Sequence, residues 1–80
     1  MIKAYGYDRA NEDAESPSEL REVTLGVTID EIDRLIAFFQ DAREKFSCGQ
    51  PVSGQRHVHL RDWLTSWTPS EADIVLLYED

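Results

Sequence analysis

Two histidines stand one residue apart in His57-Val58-His59, and they are the chain's only histidines. On an extended chain, residues i and i+2 project to the same face, so both imidazoles can approach one metal ion. A metal site wants a third or fourth ligand. The nearest acid, Asp62, falls on the opposite face if the strand continues. The plainer expectation is that His57 and His59 are half-buried polar residues, hydrogen-bonded near a sheet edge or an interface. No metal or other cofactor is therefore expected, and a small metal-binding protein using His57 and His59 stands as the alternative reading. Cys48 is the single cysteine, so it forms no intramolecular disulfide. Pairing with a histidine would make it a nucleophile with its base, but it lies where a helix is expected to end, and the negative pole of the dipole disfavours a thiolate. In an acidic chain, any chosen pair of carboxylates is weak evidence for acid–base catalysis. The sequence contains no glycine-rich phosphate loop, nucleophile elbow or dinucleotide fingerprint. A non-enzymatic protein is expected.

Charge narrows the partners. Sixteen Asp and Glu against eight Lys and Arg give a net charge of −8. Phosphate binding needs clustered bases, so nucleic acid is excluded as a ligand, and anionic membrane surfaces are disfavoured for the same reason. Between Asp8 and Glu22 stand six acids (Asp8, Glu12, Asp13, Glu15, Glu19 and Glu22) and two bases, Arg9 and Arg21. The plain reading of this segment is a solvated loop that aids solubility. The sharper one is a surface that steers a basic protein partner into place. Trp63 and Trp67 divide in the same way, between core filling and the aromatic anchors common at binding hot spots. The candidate partner-binding residues are Asp8, Glu12, Asp13, Glu15, Glu19, His57, His59, Trp63 and Trp67.

The elements that must position these residues follow from periodicity. Ile2 to Tyr7 alternates as a short strand, and Leu20 to Val27 alternates more cleanly, with Val23, Leu25 and Val27 on one face. Thr28-Ile29-Asp30-Glu31 is a capping box that opens a helix from about Asp30 to Phe46. Ile29, Ile32, Leu35, Ile36, Phe39, Ala42 and Phe46 have the spacing of a buried stripe. Asp30 with Arg34 and Asp41 with Lys45 are acid-before-base pairs at i, i+4. Gln55 to Leu60 reads as a strand, Asp62 to Trp67 as a helical turn stacking Trp63 over Trp67, and Thr68-Pro69-Ser70-Glu71 as a second capping-box pattern. The apolar run in Asp73 to Tyr78 suggests an interior strand covered on both faces. The expected architecture is a single α+β domain over residues 1–80: a four-stranded, mainly antiparallel sheet packed on one amphipathic helix, in the order β-β-α-β-β. One helix covers one sheet face, so the Trp63–Trp67 segment, a second copy of the chain or another protein is a candidate cover for the other.

In this order the chain resembles small bacterial immunity proteins from polymorphic toxin systems. The resemblance is carried by Leu20-Arg21-Glu22-Val23-Thr24-Leu25, by the helix from Glu31 to Phe39, by His57-Val58-His59-Leu60-Arg61-Asp62, by Trp67 and by Asp73-Ile74-Val75-Leu76. It spans roughly Leu20 to Leu77. It implies a non-enzymatic protein that binds a cognate toxin and blocks it by stoichiometric inhibition, and it carries over no catalytic residue. The N-terminus lacks a signal peptide's apolar core and no run reaches transmembrane length, so a cytoplasmic protein is expected, with a structural homodimer as a further alternative.

Overall fold

A computed structural model describes residues 1–11, 15–48 and 56–79. Its longest element is helix α1 (Ile29–Ser47), and the start of that helix is chemically specified. The Thr28 hydroxyl accepts from the Glu31 amide at 3.2 Å, and the Glu31 carboxylate accepts from the Thr28 amide at 2.8 Å. Two otherwise orphaned donors are satisfied reciprocally. The Thr28 backbone amide first, and then the Thr28 side chain, hold the Glu31 carboxyl below its ordinary pKa, with Arg34 adding to the effect. Of the two ion pairs expected along the helix, Asp41–Lys45 forms at 2.9 Å. The helix thus runs one residue beyond each expected bound.

Two small antiparallel ribbons accompany α1. Strand β1 (Ala4–Gly6) pairs with β2 (Ser18–Leu20), placing Ala4 opposite Leu20 and Gly6 opposite Ser18. Strand β3 (His57–His59) pairs with β4 (Val75–Leu77), placing His57 opposite Leu77 and His59 opposite Val75. The class is α+β, but the expected four-stranded sheet is replaced by two separate two-stranded sheets. The reason lies in residues 21–27. Their alternation suits a strand, yet β1 is only three residues long and its ladder is taken up by Ser18–Leu20. The Leu20 side chain reaches diagonally over Gly6, where an added Cβ would come within 2.8 Å of its Cδ1. The expected strand from Leu20 to Val27 therefore shifts toward Ser18, and residues 22–27 run on to the cap of α1 outside any ladder.

Between β3 and β4 the chain makes one turn of helix, α2 (Leu60–Trp63), closed by the Leu64 amide donating to the Leu60 carbonyl. Leu64 is already extended, so α2 stops short of Trp67 and the expected stacking of Trp63 over Trp67 does not form. Trp63 instead meets Phe38 of α1, with ring centroids 5.5 Å apart. The Trp67 indole N–H donates to the Ala72 carbonyl at 3.0 Å. The second capping-box pattern forms only in part: the Glu71 carboxylate accepts from the Thr68 amide at 3.1 Å, and a turn results rather than a helix. Strand β4 is not an interior strand, since Val75 and Leu77 are exposed. No helix among the described residues is long and apolar enough to cross a membrane.

The core is small. Phe38, Ala42 and Leu60 are the only buried hydrophobic residues among those described. At 100° per residue, Leu35, Phe38, Ala42 and Phe46 share one face of α1. This face packs inward, with Phe38 on Trp63 and Phe46 stacked on Tyr78 at 5.2 Å. The expected stripe is thereby split. Ile29, Ile32, Ile36 and Phe39 form a second row, turned roughly 100° from the first, and all four are exposed. Phe38→Ala is expected to cost about 3–5 kcal/mol, a large share of the roughly 5–15 kcal/mol typical of a domain. Thr28→Ala is expected to cost about 1 kcal/mol. Ile36→Ala, which burial of the expected stripe would make costly, should stay within about 0.5 kcal/mol. Urea unfolding of the three variants measures all of these.

Candidate functional site

The side chains richest in chemistry gather on the β3–α2 unit. Strand β3 is fixed beyond both its ends, by the Tyr78 amide donating to the Arg56 carbonyl at 2.7 Å and the Leu60 amide to the Ile74 carbonyl at 2.8 Å. His57 and His59 accordingly share a face, as the period of two requires, with ring centroids 5.1 Å apart and ring planes at 75°. They line an open groove of about 570 Å³ with Phe38, Lys45, Arg61, Asp62 and Trp63. Asp62, expected on the opposite face, is carried into this groove because the chain turns into α2 at Leu60.

One acid organises the cluster, and sequence reasoning did not single it out for this role. Asp73 precedes β4 and reaches back across the ribbon. Its Oδ2 lies 2.7 Å from His59 Nδ1 and its Oδ1 accepts from the Arg61 amide at 3.0 Å. Arg61 Nε stands 3.7 Å from Oδ2. Burial pushes the Asp73 carboxyl up, but the His59 hydrogen bond, the Arg61 amide and the charges of both residues outweigh it, and its pKa falls below 3.8. Asp73 is therefore ionised at neutral pH and accepts only, so His59 Nδ1 carries the proton of this bond. That leaves Nε2 as the free nitrogen of His59. The arrangement can exchange a proton, accept a donor or ligate a cation. Among the described lining residues there is no hydroxyl or thiol to act as a nucleophile. Cys48 caps the C-terminus of α1, its amide donating to the Glu44 carbonyl, and does not line the groove.

The remaining candidates are dispersed. Trp63 joins the histidines, but Trp67 lines a second groove of about 330 Å³ with Leu25, Val27, Leu35, Leu60 and Ile74. Asp8, Glu15 and Glu19 are exposed and line neither groove; the Asp8 carboxylate accepts from the Ala10 amide at 3.0 Å. Glu12 and Asp13 lie outside the described residues. The acidic segment and the histidine face thus do not form one site. Arg9 ties its N-terminal end to the molecule by donating to the Ser70 carbonyl at 2.9 Å.

Comparisons with protein-family models, curated proteins and solved structures found no match to this chain.

The sign of the Asp73 shift fixes a pH dependence. A carboxylate with a lowered folded-state pKa contributes stability that is complete above its unfolded value, here 3.8, and lost as pH falls through the folded one. Asp73→Asn is expected to destabilise the protein at neutral pH, with the gap to the parent protein closing on acidification below about pH 4. Unfolding midpoints measured from pH 7 to pH 2 test this, and a constant gap would contradict it.

Proposed function

We propose that this protein is an immunity-type protein that binds a cognate bacterial toxin and neutralises it by stoichiometric, non-catalytic inhibition. The observation that carries the reading is the second apolar row of α1. Ile29, Ile32, Ile36 and Phe39 follow one another at spacings of three, four and three, which makes them a continuous ridge on a helix. They are 74%, 39%, 49% and 43% exposed. Val23, Leu25 and Val27, in the segment leading into the helix, are exposed as well. A helix presenting anchors at i, i+3 and i+7 suits a hydrophobic groove on another protein, and apolar surface on this scale marks an interaction site. Charge supports a basic toxin surface: the chain carries −8, and Asp8, Glu15 and Glu19 stand exposed where they can steer such a partner. The resemblance to small bacterial immunity proteins gives the partner its class.

The same ridge could be covered by a second copy of the chain, which light scattering at micromolar concentration separates from the toxin reading. The direct test is co-purification with the product of the adjacent toxin-like gene, with toxin activity as the readout. A one-to-one complex with loss of activity is expected; absence of binding and inhibition overturns the reading. Within such a complex, Ile36→Asp is expected to weaken binding at least thirtyfold, about 2 kcal/mol. Glu19→Lys should slow association and flatten its salt dependence while barely changing dissociation.

A further inference from the structure

We propose that His57 and His59 chelate one divalent transition-metal ion of the zinc class, with Asp73 orienting His59 for the task. The proposal is independent of the toxin reading, because it concerns the isolated chain.

The first support is the spacing of the rings. Zinc lies about 2.0–2.1 Å from an imidazole nitrogen, and that nitrogen about 1.1 Å from its ring centroid, so the ion stands about 3.2 Å from each centroid. Centroids 5.1 Å apart would subtend about 105° at an ion that faced one nitrogen of each ring, close to the tetrahedral angle that zinc adopts. The backbone bearing the rings is held by hydrogen bonds to the β4 segment beyond both ends of β3, so little ordering is needed on binding.

The second support is the carboxylate. A ligating histidine ordinarily donates its other ring N–H to a carboxylate, which fixes the tautomer and raises the basicity of the ligating nitrogen. His59 already makes that bond, Nδ1 to Asp73 Oδ2 at 2.7 Å, and its Nε2 is left with the lone pair a metal requires. The third support is electrostatic. The cations in the groove wall have acidic neighbours: Lys45 with Asp41 at 2.9 Å, and Arg61 near both Asp73 and Asp62.

The site supplies two protein ligands. Among the described residues, no group of three or more His, Cys, Asp or Glu is placed to hold a metal ion. Water completes the coordination from the open groove, so binding is far weaker than at a closed structural zinc site.

The test uses the full chain without an affinity tag, titrated with Zn²⁺ at neutral pH by calorimetry and by NMR of the imidazole resonances. One ion per chain is expected, with both histidines shifting. His57→Ala, which leaves the His59–Asp73 bond intact, should weaken binding at least tenfold. Asp73→Asn should weaken it by about 10–100-fold, with circular dichroism checking the fold, while Cys48→Ser leaves it unchanged. Binding that survives His57→Ala, or no imidazole shift at millimolar Zn²⁺, overturns the site. An Asp73→Asn variant that folds and binds as the parent does overturns the orienting role.

Discussion

The contact between Phe38 and Trp63 is the constraint on which the rest of the molecule depends. Phe38 is 1% exposed and packs with its ring centroid 5.5 Å from that of Trp63. Ala42, one turn further along α1, and Leu60, at the start of α2, are the other buried apolar residues among those described. Because α2 continues directly from β3, docking Trp63 on Phe38 also fixes the β3–β4 ribbon against the helix. Phe46 on Tyr78 repeats the contact at the other end. A chain of 80 residues has little surface to remove from water. What it removes is concentrated on one face of α1, and the neighbouring face is left open.

How much of this was legible in the sequence depends on the range of the physics involved. The capping box at Thr28 and Glu31 is a local pattern within four residues, and it forms as read. So do the shared face of His57 and His59 and the Asp41–Lys45 pair, which follow from strand and helix geometry alone. The errors are long-range. Periodicity marked seven apolar positions on α1 as one stripe and left out Phe38, yet Phe38 is buried and Ile36 is exposed, and only a tertiary contact decides which face is covered. The alternation from Leu20 to Val27 could not reveal that β1 would pair with Ser18–Leu20 instead. Asp73 was invisible as part of the site because its role requires the register that sets Val75 opposite His59.

The two surfaces left over from folding differ in kind. The histidine groove is polar, ordered by a carboxylate held ionised beside His59 and Arg61, and suited to a proton, a cation or a polar group of a partner. The ridge on α1 is apolar and lies beside the core face without being part of it. An immunity-type protein needs the second more than the first, since affinity for another protein comes from a few desolvated anchors inside a polar rim. Asp8, Glu15 and Glu19 are exposed and carry charge of the sign that steers a basic partner.

Whether the ridge from Ile29 to Phe39 is the partner-binding face is read out by hydrogen–deuterium exchange of the free protein and of its complex with the proposed toxin partner. Protection on binding is expected along residues 22–39, with residues 57–63 changing less. Protection confined to the β1–β2 ribbon or to β4, with residues 22–39 exchanging as in the free chain, would contradict it.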